Sequence, residues 1–416
     1  MYSSIHSTLK KNCSISNIAI FFLCIICINC TQTVKKVEGD DIPIIDVISN
    51  ISKAQKVNLS SIASSIEYCM LETDEKCLIR NKSIIYSSGD FFVYMSTHAS
   101  WPECYVFDRK TGKFVRQISR TGQGPNDYQR TAMVLDGEIG QICLVGNNQY
   151  HFYNHDGSLS HKTKIFANFF IAYEDLYICY VNNTKGDSKT RINFHDRKTG
   201  ELIDSIPNYR FYKRDEGRPF STGGDFSFHL FNNNLYYKDI YCDTLYQIKD
   251  FSLEPRYIFN TGSQTVPYES QKEGRVDIQA AMAGRECDRY SKYIVINRLF
   301  ESTNYLIFTF DYRNRKYPVL FDKPEEKIQI LLPVSIPLLF LRDGLIPLYG
   351  FENDLDGGLP FWPQEMISEK EMMCVYTAEE LLELDASKIS DEKLKNVLNS
   401  LEEDSNPVVA IVTLKD

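Results

Sequence analysis

One five-residue phrase occurs twice in this chain, and its spacing limits the possible folds more than any other feature. Asp108-Arg109-Lys110-Thr111-Gly112 recurs letter for letter as Asp196-Arg197-Lys198-Thr199-Gly200, with Asn154-His155-Asp156-Gly157 between them. The glycines at 112, 157 and 200 are 45 and 43 residues apart. Each phrase lies between two apolar runs: Tyr105-Val106-Phe107 and Phe114–Ile118, His151-Phe152-Tyr153 and Leu159 onward, Ile192-Asn193-Phe194 and Leu202–Ile206. Glycine supplies the positive φ of a tight hairpin, and an aspartate at the turn start can accept from nearby backbone N–H groups. About forty to fifty residues per four-stranded unit is the period of a β-propeller blade.

Counting units gives the architecture. Residues 57–120 make the first, and the three repeated hairpins carry the pattern to about 210. Phe226–Phe231, Leu235–Asp239, Thr244–Ile248 and Arg256–Phe259 read as a fourth set of strands. The period then breaks at 263–290, a polar stretch read as an insertion on one face, with Val276–Tyr290 helical. Strands resume at Tyr293–Asn297, Tyr305–Asp311 and Tyr317–Phe321, and a sixth unit would use Ser335–Leu341 and Leu345–Tyr349. The fold class is therefore all-β, a six-bladed β-propeller.

Residues 364–404 have a different character, holding twelve acidic residues and four lysines. Thr377-Ala378-Glu379-Glu380 is a capping-box pattern. Ser390 would cap a second helix with Leu394, Val397, Leu398 and Leu401 on one stripe. This is a short helical excursion with a solvated acidic face. Pro407–Leu414 then reads as a strand that closes the ring against the start of the chain, which hides sheet edges.

The N-terminus reads as an address. Lys10 and Lys11 precede an unbroken apolar run of eleven residues, Ile18–Ile28, too short to span a bilayer but suited to a secretory signal. The run ends at Cys30, followed by a polar stretch, an arrangement that resembles the lipobox of bacterial lipoproteins. That resemblance implies a lipid on Cys30, with Cys24 and Cys27 as alternatives, since Asn29 departs from the usual small residue. The divisions are 1–29 signal peptide, 30–56 linker and 57–416 propeller. Removing the signal leaves 44 basic against 55 acidic residues, a balance of −11, which argues against a basic nucleic-acid binder. Mean hydropathy of −0.30 and the lack of any 18-residue apolar run exclude a multispan membrane protein. Eight cysteines follow Cys30. They read as buried thiols, with a Cys69–Cys77 bridge as the alternative.

Several positions are candidates for binding. In Arg120-Thr121-Gly122-Gln123-Gly124-Pro125-Asn126-Asp127-Tyr128, Arg120 and exposed backbone N–H groups at Gly122 and Gly124 could hold a phosphate or carboxylate. The structural reading, a blade-to-blade crossing pinned by Arg120 and Tyr128, is preferred. Trp101, His98 and Trp362 sit near turns and could stack on a sugar or peptide. Asp225 opens a blade and could lie near the central channel. His151, His155 and His161 are too far apart on strands to chelate one ion and read as hairpin surface residues. Glu352–Gly357 starts like a calcium loop but has Pro363 where the twelfth-position glutamate belongs. The sequence assigns no catalytic residue, no metal ligand and no cofactor.

Asn58–Tyr68 with Met70-Leu71-Glu72-Thr73, the arginine–glycine loop through Tyr128, and Asn406–Lys415 together resemble the exported six-bladed β-propeller lipoproteins of diderm gut bacteria. The resemblance covers residues 57–416. It implies a propeller anchored to the outer membrane, on its periplasmic or cell-surface side, and brings no catalytic residues. The leading expectation is a binding or scaffold module for a peptide, glycan or protein partner. The alternatives are a metal-dependent lactonase- or lyase-like enzyme, and an accessory subunit of an outer-membrane uptake complex.

Overall fold

The computed structural model describes residues 42–415, apart from 80–83, 97–102, 132–134, 137–139, 147–148, 165–168, 214–224, 337–346, 386, 388 and 390. Its strands form six sheets, arranged as the six blades of a propeller. Blade 1 runs outward through Ile84–Ser88, Phe91–Met95, Cys104–Asp108 and Phe114–Gln117. Blade 2 comprises Arg130–Thr131, Gln141–Val145, Tyr150–Asn154 and Leu159–Thr163. Blade 3 comprises Phe170–Tyr173, Leu176–Tyr180, Thr190–Asp196 and Leu202–Pro207, with Leu135–Asp136 added in parallel on its inner edge. Blade 4 comprises Phe226–Phe231, Asn234–Asp239, Thr244–Lys249 and Ser252–Asn260. Blade 5 comprises Val295–Glu301, Tyr305–Tyr312, Arg315–Asp322 and Lys327–Ile330.

Blade 6 is built from both ends of the chain. Glu365–Met366, Glu371–Tyr376 and Val408–Leu414 come from the C-terminal part, and Ala63–Met70 pairs antiparallel with Val408–Leu414 as the outermost strand. The closing strand thus lies where the apolar run Pro407–Leu414 predicts, paired with the start of the domain. The expected inner strands do not: 337–346 lie outside the described residues, and the blade uses 365–376, part of the acidic stretch read as helical. The helices there are Ala378–Leu382 and Glu392–Ser400. Thr377 and Glu380 form the predicted reciprocal cap. The second helix is capped by Asp391, whose Oδ1 accepts from Lys393 N at 2.7 Å and Leu394 N at 3.0 Å, rather than by Ser390. Aspartate and serine cap equally well, so the pattern alone left the register open by one residue.

Middle strands are apolar along their length because a neighbouring blade covers each face. Tyr305–Tyr312 is buried at every position after the first. Successive side chains point to opposite neighbours: Phe92 and Tyr94 pack toward blade 6, Val93 and Met95 toward blade 2. Six such apolar layers fill the six gaps between blades and close the circle. Outer strands need no second cover, and Leu202–Pro207 is mostly exposed.

The repeated turns seat each blade on the one before it. Asp108 Oδ1 accepts from Thr111 N at 2.8 Å, and Asp196 Oδ1 from Thr199 N at 2.6 Å. Gly112 has φ +70°, and a Cβ there would come within 1.8 Å of the Met70 carbonyl oxygen on blade 6. Gly200 has φ +75° and lies against Thr163 on blade 2. Glycine is needed both for the turn and for the close approach.

Part of the expected linker is folded. Ile44–Asp46 adds a fifth strand, parallel, to the outside of blade 4. The chain then passes a 3-10 segment, Ile48–Lys53, bonds blade 5 through Gln55 N to Ile330 O at 3.0 Å, and enters blade 6 after a second, Leu59–Ser61. Ile45 and Val47 are fully buried. This strap was hidden because a three-residue strand with two apolar residues, Ile44-Ile45-Asp46, is too short to register. Within the insertion, the α-helix covers only Ile278–Met282, ended by Gly284 at φ +65°, and a 3-10 segment, Tyr268–Lys272, precedes it. All eight cysteines after Cys30 are free thiols.

Candidate functional site

The up-and-down strand order sends every blade-to-blade crossing, and every link between second and third strands, to one end of the ring. The described candidate residues from the sequence, Arg120, Gly122, Gly124, Tyr128, Asp225 and Trp362, all lie in such segments. They fall at three separate junctions. Cys30, His98 and Trp101 lie outside the described residues.

The arginine–glycine loop joins blade 1 to blade 2 and is occupied by its own carboxylate. Asp127 Oδ1 takes Arg120 Nε at 3.1 Å, and Oδ2 takes Gly124 N at 2.8 Å. These bonds hold the Asp127 carboxyl below its ordinary range, the Gly124 N–H contributing most. Cβ atoms at Gly122 and Gly124 would lie 2.2 and 2.8 Å from Asp127 Oδ2, so the glycines make room for that side chain. Gly122 N donates to Tyr128 O at 3.1 Å, and Tyr128 N to Arg120 O at 3.1 Å. Tyr128 is fully buried between blades 1 and 2, whereas the Arg120 side chain is 82% exposed. The anion cradle read from the sequence is filled from within, as a crossing requires.

Asp225 is buried just before the first strand of blade 4 and accepts from Tyr241 Oη at 3.0 Å. Tyr241 Oη lies 3.5 Å from Tyr290 Oη, which ties the blade to the 263–290 insertion. The three histidines separate. His155 meets Ser88 Oγ at 2.9 Å, and His161 meets Tyr177 Oη at 2.9 Å. His151 is 1% exposed, not a surface residue, because its strand faces the gap between blades. The acids of 352–357 also diverge: Glu352 pairs with Lys56, Asp354 takes Ser60 N and Oγ, and Asp356 takes Gly358 N. Among the described residues no group of three or more His, Cys, Asp or Glu side chains is placed to hold a metal ion.

Trp362 does line a cavity. It has a volume of about 190 Å³ and lies where blades 5, 6 and 1 meet, with Ile85, Arg298, Tyr349, Trp362, Gln364 and Glu380 in its walls. Tyr349 and Phe351 flank the Trp362 ring with centroids 5.8 Å away. Phe351 and Phe361 exchange backbone hydrogen bonds of 2.9 and 3.0 Å, which fixes the segment carrying Trp362. A Cβ on Gly350, at φ +122°, would lie 2.1 Å from the Phe361 oxygen, so this close pairing needs glycine. Burial pushes the Tyr349 hydroxyl up to about 12, with Arg298 pulling the other way. The Trp362 indole N–H is buried without an acceptor among the described residues.

Arg298, Gln364 and the neighbouring Glu365 carry the polar character of this region, and nothing in the sequence singles them out. Arg298 sits in the first strand of blade 5 where the register with the next strand shifts, and its φ is +43°. A non-glycine residue in the left-handed region is uncommon and strained. Its side chain is exposed and has no ion pair among the described residues. Glu365 Oε2 accepts from Ser87 N of blade 1 at 2.8 Å. Burial pushes its carboxyl up to about 7, against the Ser87 hydrogen bond and Arg109.

No curated protein matches the chain. Its fold is similar to a crystal structure of a Bacteroides fragilis protein named for inferred export, with 18% identity and a TM-score of 0.63, covering 90% of this chain and all of that one. A member of the DUF4221 family from Bacteroides vulgatus is 12% identical with a TM-score of 0.46, covering 85% of this chain and 97% of that one. The family model described as a domain of unknown function, DUF4934, matches residues 42–413, strap and all six blades together, and the chain belongs to that family.

Proposed function

We propose that this protein is a binding module of the bacterial cell envelope, anchored to the outer membrane through a lipid on Cys30, which holds part of a peptide, glycan or protein partner in the cavity beside Trp362. The observation that carries this reading is the cavity itself: a concave, braced, aromatic-walled site with polar groups, at the end of the ring where the crossings gather. Such sites favour ligands because little ordering is needed on binding. At about 190 Å³ it would take one ring or one side chain of a larger partner, not a whole oligomer.

The envelope location rests on the Lys10–Cys30 pattern and agrees with the inferred export of the Bacteroides fragilis protein.

The chain has two tryptophans, Trp101 and Trp362. A Trp101→Phe protein therefore reports on the cavity by intrinsic fluorescence. Titration with amino acids, short peptides and mono- and disaccharides should give a saturable change in Trp362 emission with at least one class. A flat response to every class, from a protein with a normal melting curve, would remove this reading.

A further inference from the structure

We propose that the cavity selects ligands bearing a carboxylate, with Arg298 receiving the carboxylate and Tyr349 and Trp362 receiving the ring or chain that carries it; this rests on the binding reading above. The walls contain two charged side chains, Arg298 and Glu380. Glu380 is committed to the helix cap, its Oε2 accepting from Thr377 N at 2.9 Å. Arg298 has no such partner among the described residues. Arg109, Arg120, Arg191, Arg256, Arg275 and Arg289 each pair with a carboxylate, whereas Arg285, Arg313 and Arg315 share the unpaired state of Arg298 among the described residues but do not line the cavity. The bulge in blade 5 holds Arg298 at a strained φ while aiming it into the cavity wall, a placement that blade pairing alone does not require.

The guanidinium fork matches a carboxylate with two parallel hydrogen bonds, which a neutral hydroxyl or amide cannot return. The Trp362 indole N–H is shut off from solvent, so Trp362 would offer a ligand its ring rather than a hydrogen bond. Pro347, Pro360 and Pro363 also line the site and restrict its backbone. An acidic sugar and the C-terminus of a peptide share this chemistry, and matched pairs of probes separate them.

The test uses the Trp101→Phe protein and four ligands: glucuronate against glucose, and N-acetylphenylalanine against its amide. Emission of Trp362 is followed at low and high salt. At least one acid should bind at least about tenfold more tightly than its neutral partner, and Arg298→Gln should remove that preference without moving the melting temperature. The pair that shows the preference identifies the source, sugar or peptide. Equal binding of an acid and its neutral partner would overturn the carboxylate assignment while leaving the binding reading intact. An acid preference that survives Arg298→Gln would overturn the role of Arg298. Silence from all four ligands would overturn the carboxylate assignment, and together with a flat class screen it would end the binding reading as well.

Discussion

Replacing Glu365 by Gln should stabilise this protein in mildly alkaline solution and change it little in mild acid. Glu365 reaches across the ring seam from blade 6 to the Ser87 N–H of blade 1, and burial pushes its carboxyl up to about 7 from an ordinary 4.5. The folded protein therefore keeps this proton to higher pH than the unfolded chain does. Between about 4.5 and about 7 the folded state binds more protons, so stability falls as pH rises through that window and stays at the lower level above it. The full gap corresponds to a ceiling of about 3 kcal/mol. An amide keeps the oxygen that accepts from Ser87 and carries no charge at any pH. The gain should approach about 3 kcal/mol at pH 8 and stay at about 1 kcal/mol or less at pH 5. With an unfolding entropy of about 2 cal/mol/K per residue over roughly 370 residues, these become about 4 °C and about 1 °C in melting temperature. Calorimetry of wild type and Glu365→Gln at both pH values measures this directly. An equal difference between the two proteins at pH 5 and pH 8 would show that Glu365 titrates normally and that the seam does not desolvate it.

Four further outcomes follow from the geometry. Asn406 is 1% exposed, accepts from Ile79 N at 2.7 Å and donates to Glu72 O at 2.6 Å and Cys77 O at 3.0 Å, so it stitches the closing strand to the crossing into blade 1. Asn406→Ala should cost about 3 kcal/mol or more in denaturant unfolding, and a loss under about 1 would mean the network is replaced by water. Gly112→Ala combines φ +70° with a 1.8 Å contact to Met70 O, whereas the nearest atom at Gly157 is 3.6 Å away. The first should cost about 2–4 kcal/mol and the second about 1, so equal losses would show that φ alone matters. Arg120→Ala should cost under about 1 kcal/mol because the ion pair is exposed, and Tyr128→Ala about 3–5; the reverse order would return the loop to a charge-centred role. Cys30→Ser should move the protein from the membrane fraction to the soluble fraction, and unchanged partitioning would dismiss the lipid anchor.

Features that depend on residues close in sequence were legible before folding. The turn at Asp108–Gly112 needs a glycine at its end and an aspartate at its start, and both requirements are local. The same holds for the Thr377–Glu380 cap. The strap at 44–46 was not legible, because its pairing partners lie more than 200 residues away at 258–260. Nor were the inner strands of blade 6, where an acidic stretch outweighed the apolar Met372-Met373-Cys374-Val375-Tyr376 within it. Of the binding candidates, Trp362 does line a cavity, while Arg120 and Asp225 serve junctions between segments.

The chain's own repeat determined the class of fold, since a 44-residue period of hairpins can bury its apolar faces only by stacking blade on blade. Tertiary structure alone decided which polar groups stand in the cavity. Arg298, Trp362 and Glu380 come from separate segments, and the cavity they line exists only after blades 5, 6 and 1 have closed. Charge, burial and strain at such a point are properties of the neighbours a residue acquires, which no local pattern records.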